Sequence, residues 1–187
     1  MKLLLHTCCT ACAIYPYESL LKENIIPTIF FFNPNIHPYR EFRKRLASLK
    51  EYISQTNAKS IIDEDYRLDW FLQKIVGSGE ERCRICYTLR LQETARVAKE
   101  KGYDAFSTTL LVSIHQNHKA IKEIGERVAK DTGLIFYYRD WRDGFDYAHK
   151  KAKELNFYLQ TYCGCIYSEE ERYRPSKRRK IRKDFGS

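Results

Sequence analysis

No stretch of the chain approaches the roughly 18 consecutive apolar residues that a membrane span needs. Neither a G-x-G-x-x-G nor a G-x-x-x-x-G-K-S/T sequence occurs, which excludes a standard dinucleotide or phosphate cradle. No Ser/His/Asp set stands out, and no segment repeats. The N-terminus has one lysine and a very short apolar run before charged, helix-like sequence, unlike a signal peptide. These absences lead us to expect a cytoplasmic protein with no membrane partner.

Cysteine, by contrast, is plentiful. There are seven in 187 residues. A reducing cytosol disfavours structural disulfides, and an odd number cannot pair completely within the chain. Metal binding or redox catalysis accounts better for the count. The length suits one domain, and a 43% hydrophobic content suffices for a core. The net charge of +9, from 33 basic and 24 acidic residues, is uneven, because eight basic residues and one acid fall between Arg172 and Ser187. The expected organisation is a single α/β domain over 1–171 and a basic tail over 172–187. Such a tail suits nucleic acid or another anionic surface.

Apolar runs and helical periodicity alternate along the chain. Leu3–Leu5, residues 26–32, Ile61–Ile62, Ala105–Ser107 and Leu134–Tyr138 read as strands. Helical spacing follows in the segment containing Ile14, Tyr17, Leu20 and Leu21, then over 39–56, 67–77, 80–101, 116–131 and 145–155. The alternation predicts a doubly wound, mainly parallel sheet. In such sheets ligands bind beyond the carboxyl ends of the strands. Cys8–Cys9, Asn33–His37, Asp63–Tyr66, Thr108–Thr109 and Asp140–Arg142 all follow expected strands and should gather along one edge.

The organising stretch is His6-Thr-Cys-Cys-Thr-Ala-Cys12, where the first strand turns into the first helix. Unpaired N–H groups and the helix dipole make that turn electropositive. Such a field favours thiolate, the form that binds metal. Cys83-x-x-Cys86 places two more thiols one helical turn apart on one face. Cys8, Cys9, Cys83 and Cys86 therefore supply the four ligands of a cubane cluster, or equally of a structural zinc site; spacing does not separate them. Cys163-x-Cys165 is open to three readings: a tight metal pair, a reversible disulfide, or unrelated thiols near a turn. His115 and His118 read as an ordinary polar helix start and are left out of the site. Tyr66, Asn35, Asp140 and Arg142 are polar candidates for ligand contact.

In combination the motifs are specific. His6-x-Cys8-Cys9-x-x-Cys12, Asn33-Pro-Asn-Ile-His-Pro38, Asp65-Tyr66, Arg82-Cys83-x-x-Cys86-Tyr87-x-x-Arg90-Leu91, Thr108-Thr-Leu-Leu111, Asp140-x-Arg142 and Gln160-x-Tyr162-Cys-Gly-Cys165-x-Tyr167-Ser168 run in order up to about Glu169. The chain thus resembles the QueH family of epoxyqueuosine reductases. It departs from the family's frequent Cys-Cys-Ala-Pro-Cys at Thr10-Ala11, and from its Ser-Pro at Ser113-Ile114; neither change touches a candidate ligand.

The resemblance implies removal of the epoxide oxygen of epoxyqueuosine in the tRNA anticodon loop, a two-electron reduction using a 4Fe-4S cluster. It implies a fold similar to adenine nucleotide hydrolase-like (HUP-type) domains. It also implies cluster ligands Cys8, Cys9, Cys83 and Cys86, a redox-active pair Cys163 and Cys165, and a second iron near the cluster, with Cys12 or a nearby carboxylate contributing. Asp140 or Tyr66 would donate the proton, and Asn35, His37, Thr108 and Arg142 would contact substrate. An electron donor is required and the sequence does not identify it. Tyr39, Tyr66, Tyr87 and Trp141 are aromatics for stacking the base, and Arg40, Arg43, Lys44, Arg45 and Lys177–Lys180 are cations for phosphate. Two other classes remain: a non-catalytic nucleic-acid-binding protein with a structural four-cysteine zinc site, and a thioredoxin-type oxidoreductase. The second is weaker, because its C-x-x-C opens a helix right after the first strands, and Cys83 comes too late.

Overall fold

The computed structural model describes residues 1–175. The Lys177–Lys180 cluster therefore lies outside the described residues. Five strands, β1 (Leu3–His6), β2 (Thr28–Phe31), β3 (Ser60–Ile62), β4 (Ala105–Thr108) and β5 (Ile135–Phe136), form one sheet in the order β3-β2-β1-β4-β5. Every pairing is parallel, and at the carboxyl end of the central strand His6 sits beside Phe30 and Thr108. β1 is Leu-Leu-Leu-His, buried at all four positions, as a strand covered on both faces must be.

Among the described residues seven α-helices accompany the sheet: α1 (Thr10–Lys22), α2 (Tyr39–Thr56), α3 (Leu68–Ile75), α4 (Arg82–Glu100), α5 (His118–Thr132), α6 (Phe145–Glu154) and α7 (Ile166–Tyr173). α1 packs on α2 and α6, whereas α4 packs on α3 and α5, so the sheet is covered from two sides in the doubly wound manner. The strand order reverses direction at β1, between β2 and β4. The crevice at that switch point is where a doubly wound sheet binds ligands, and the first cysteines follow β1 directly.

Two differences from the sequence reading affect the site. The expected strand over 134–138 pairs only at Ile135–Phe136. The sequence marks no element after Cys165, yet α7 follows it; its first turn is secured by Ser168, whose hydroxyl donates to the Cys165 carbonyl at 2.7 Å and accepts from Gly164 N–H at 3.2 Å. Among the described residues no helix is long and apolar enough to cross a membrane.

Candidate metal centre and its cavity

Cys9 is the N-cap of α1. Its backbone is extended (φ −169°, ψ 167°), and its sulfur accepts the Cys12 N–H at 3.4 Å. That geometry turns Cys8, Cys9 and Cys12 toward one another. Their sulfurs all lie within 4.8 Å, with Cys8 and Cys9 at 3.8 Å, and all three are buried. Cys12, which the spacing sets apart from the four-ligand group, is thus an integral member of a triad. Hydrogen bonds from Cys12 and Cys9 hold the Cys8 thiol well below its ordinary pKa. Burial raises Cys9, and its neighbours raise Cys12. Thr109 Oγ1 stands 3.9 Å from the Cys8 sulfur.

Cys83 and Cys86 lie outside this triad, on the first turn of α4, where their strongest thiol neighbours are Cys163 and Cys165. Burial pushes the Cys86 thiol up to about 12. All seven cysteines are free thiols, so no disulfide joins Cys163 to Cys165.

One helical turn after Cys86 on α4 stands Arg90, 1% exposed. Cys86, Cys163 and Cys8 are the groups whose ionisation acts on it most. Its Nε donates to the Cys86 carbonyl at 3.3 Å, its Nη2 is buried without a partner, and among the described residues no carboxylate pairs with it. The Tyr87 ring centroid lies 5.9 Å from its guanidinium. Burying an ion costs several kcal/mol, roughly, whereas a cation–π contact returns about 2 kcal/mol at best. The remainder calls for an anion, which thiolates supply. The sequence motif contains Arg90 without indicating what it does.

Arg45, also 1% exposed, corrects an expectation. The sequence groups it with the phosphate-facing cations of α2. Instead it is inward, donating to Glu41 at 2.7 Å and to the carbonyls of Cys163 (2.9 Å) and Tyr162 (3.0 Å). Its position three residues after Phe42 and four before Leu49 puts it on the buried stripe. Arg43 and Lys44 remain exposed.

A cavity of about 590 Å³ opens over the triad. Cys8, Cys12 and Cys163 reach it, and His115, Phe145 and His149 form an aromatic wall. Phe145 lies 4.2 Å from the His149 ring and 5.7 Å from the His115 ring, centroid to centroid. Two amides reach sulfur: Gln116 Nε2 at 3.4 Å from Cys163 and Gln160 Nε2 at 3.5 Å from Cys12. Gln160 Oε1 is buried with no partner, an acceptor available to a ligand hydroxyl or amine. A larger hollow between Phe32, Trp70 and Arg96 contains no thiol and lies away from this chemistry.

None of Asn35, His37, Thr108, Arg142, Asp140 and Tyr66 lines that cavity. Asn35 and His37 are 1% exposed beneath the Cys163–Cys165 loop, where the His37 N–H donates to Gly164 O at 2.8 Å. Thr108 is fully buried; it bonds the His6 ring at 2.9 Å and accepts the Leu110 N–H. Tyr66 packs edge-on against His37 and Tyr39. Arg142 chelates Asp140 and holds its carboxyl down at about 2. Of the stacking candidates, Trp141 (0% exposed) and Tyr87 (4%) are core residues, a correction that follows from their large apolar area.

Taken together, a parallel doubly wound sheet with buried thiols at its switch point defines an α/β protein whose Cys8/Cys9/Cys12 triad could hold a metal. The chain belongs to the QueH family: the family model described as epoxyqueuosine reductase QueH matches residues 3–171. Similar curated proteins bear that same description. The one from Dehalococcoides mccartyi is 36% identical over 172 residues, covering 92% of this chain and 94% of the relative. The Acinetobacter baylyi protein is 36% identical over 188 residues, covering 95% and 86%. The Thermotoga maritima protein is 31% identical over 179 residues, covering 90% and 91%.

Proposed function

We propose that the chain is an epoxyqueuosine reductase, converting epoxyqueuosine in the tRNA anticodon loop to queuosine. The observation that carries this reading, beside the family membership, is the buried Cys8/Cys9/Cys12 triad opening onto a cavity shared with Cys163. Loss of an epoxide oxygen as water, leaving an alkene, consumes two electrons and two protons. We assign Cys8, Cys9, Cys83 and Cys86 to a 4Fe-4S cluster, with Cys12 placed for a second iron. The donor set fits: soft thiols in two groups and no carboxylate among the triad. When bound, such a cluster passes electrons one at a time.

The chain's own residues supply the rest. Cys163 and Cys165, as two free thiols, hold the two electrons and two protons that the reaction consumes, so closing them to a disulfide balances one turnover. An outside reductant must then reopen that bond. Gln160 and the His115–Phe145–His149 wall hold a splayed-out base over Cys12; extrusion onto aromatic side chains is how loop bases are reached. Protons come from the cavity. Asp140 carries none at neutral pH, because Arg142 keeps it ionised. His149 is better placed to relay them: its Nδ1–H donates to the Phe145 carbonyl at 3.0 Å, so its Nε2 lone pair takes a proton released by the dithiol and passes it to the substrate. We place the domain at 1–171, with the basic tail contacting tRNA phosphate and the enzyme in the cytoplasm.

The zinc-module reading predicts thiols matched to one closed tetrahedral site. The open cavity beside the triad runs against it. The test is an anaerobic incubation of the reconstituted protein with epoxyqueuosine-containing tRNA and a chemical reductant, followed by nucleoside mass spectrometry. Appearance of queuosine supports the reading, and unchanged epoxyqueuosine with a fully loaded protein rejects it.

A further inference from the structure

We propose that Arg90 is the built-in counter-charge of the thiol-bound cluster, a positioning residue that raises the potential at which the cluster accepts an electron. The inference rests on the iron–sulfur reading above and adds to it a residue to which that reading gives no part.

The geometry is that of a buried guanidinium, anchored beside the cysteines, with no anion paired to it. Arg90 follows Cys86 by four residues, and its Nε is tied to the Cys86 carbonyl, so the guanidinium is fixed to the turn that carries Cys83 and Cys86. It is 1% exposed, its Nη2 has no partner, and among the described residues no carboxylate pairs with it. Arg45 is the internal contrast: equally buried, it is neutralised by Glu41 and committed to main-chain carbonyls. The fold has thus buried two guanidinium groups beside the cysteines and left one of them uncompensated. Thiols of both groups, Cys8 in the triad and Cys86 and Cys163 outside it, couple to that charge.

Reduction adds one electron, and so one negative charge, to a thiolate-ligated cluster. A fixed cation at low dielectric stabilises the reduced form more than the oxidised form, and its unpartnered N–H groups are donors for the sulfurs. Charge and hydrogen bonding around sulfur are recognised means of setting such potentials.

The test uses the full chain, reconstituted anaerobically, as parent, Arg90→Lys, Arg90→Gln and Arg90→Met. Each is titrated with dithionite while the visible spectrum and the electron paramagnetic resonance signal are followed. The account predicts that Met and Gln weaken the reduction equilibrium at least tenfold, about 59 mV for a one-electron couple, and that Lys stays within about threefold of the parent by keeping the charge. Fully loaded Met and parent proteins with equal midpoints overturn the proposal, as does a Lys variant shifted as far as Met.

Iron uptake by the parent separates this outcome from failure of the iron–sulfur reading. Should the parent take up no iron, or a variant fail to load, melting of the metal-free proteins still decides. An arginine awaiting an anion predicts that metal-free Arg90→Met melts no lower than the parent, because an apolar side chain replaces an unpaired buried charge. A clear drop in melting temperature marks Arg90 as a packing residue and overturns the proposal.

Discussion

Arg45 and Cys163 are joined by a 2.9 Å hydrogen bond from the guanidinium Nη1 to the main-chain oxygen, linking helix α2 to the loop of the last two cysteines. The same side chain donates to Tyr162 O and to Glu41, and Glu41 in turn accepts the Tyr158 hydroxyl at 2.5 Å. One buried cation therefore determines where the Cys163–Cys165 loop sits relative to the triad. Replacing Arg45 by Met leaves a buried carboxylate and two carbonyls short of donors, and breaking a buried pair in this way costs about 3–5 kcal/mol. Urea unfolding should register that loss, and hydrogen exchange should quicken over 160–166 before the rest of the chain opens.

Gly164 supports the same loop. Its φ is +146°, and a Cβ there would stand 3.1 Å from Asn35 Nδ2, 3.3 Å from Ile36 and 3.4 Å from Arg45. Gly164→Ala combines left-handed backbone strain with crowding against buried neighbours, about 1–3 kcal/mol. Turnover should fall more than stability does, because Cys163 and Cys165 shift against the cavity. A variant with full activity would separate the loop from catalysis.

His6 gives the metal-free protein a pH signature. Burial and the nearby Arg90 charge lower its pKa from 6.5 to about 4. The unfolded chain therefore binds a proton between those values that the folded chain refuses, and stability is lost as pH falls from about 6.5 toward 4. The loss reaches about 3 kcal/mol when the shift is converted at about 1.36 kcal/mol per unit. Unfolding midpoints at pH 7 and pH 5 should differ in the parent, and the difference should shrink in His6→Asn. Equal midpoints in the parent contradict a neutral buried imidazole.

The cavity wall makes a separable prediction. Phe145→Ala removes the ring between two histidines and should weaken binding of epoxyqueuosine-containing tRNA by about 1–3 kcal/mol, the usual worth of a base–aromatic stack. His149→Asn keeps a side chain of similar polarity but no exchangeable ring proton. It should slow turnover by about 10²–10⁴-fold with little change in tRNA affinity. Loss of affinity without loss of rate would assign His149 to binding instead.

Much of this is legible in the sequence, for identifiable reasons. Continuous apolar runs such as Leu3–Leu5 announce buried parallel strands, and the turn after β1 follows from them. Cys12 is harder to place, because the sequence does not show that Cys9 caps the helix and draws its neighbours together. Arg45 and Arg90 each lie on an inward stripe, beside Leu46 and Leu91, yet a cation there reads as solvated until its partners are known. The sequence reading sets His115 aside as part of a polar helix start and does not mark His149; the structure puts both on the cavity wall, because they meet only through the packing of Phe145. Helix α7 carries no buried residue, so no periodic signal marks it.

The basic tail makes a prediction from charge alone. Affinity for tRNA should fall steeply with salt, and removing residues 176–187 should flatten that slope. An unchanged slope means those cations do not contact phosphate.

The central claim is that thiols distant in the chain bind iron at the end of β1. Anomalous scattering at the iron edge, from crystals grown and loaded without oxygen, tests it most directly. The account predicts strong iron peaks bonded to Cys8 and Cys9 and reached by Cys83 and Cys86 from α4. Zinc alone at the triad, or fully loaded crystals with no iron peak there, contradicts it.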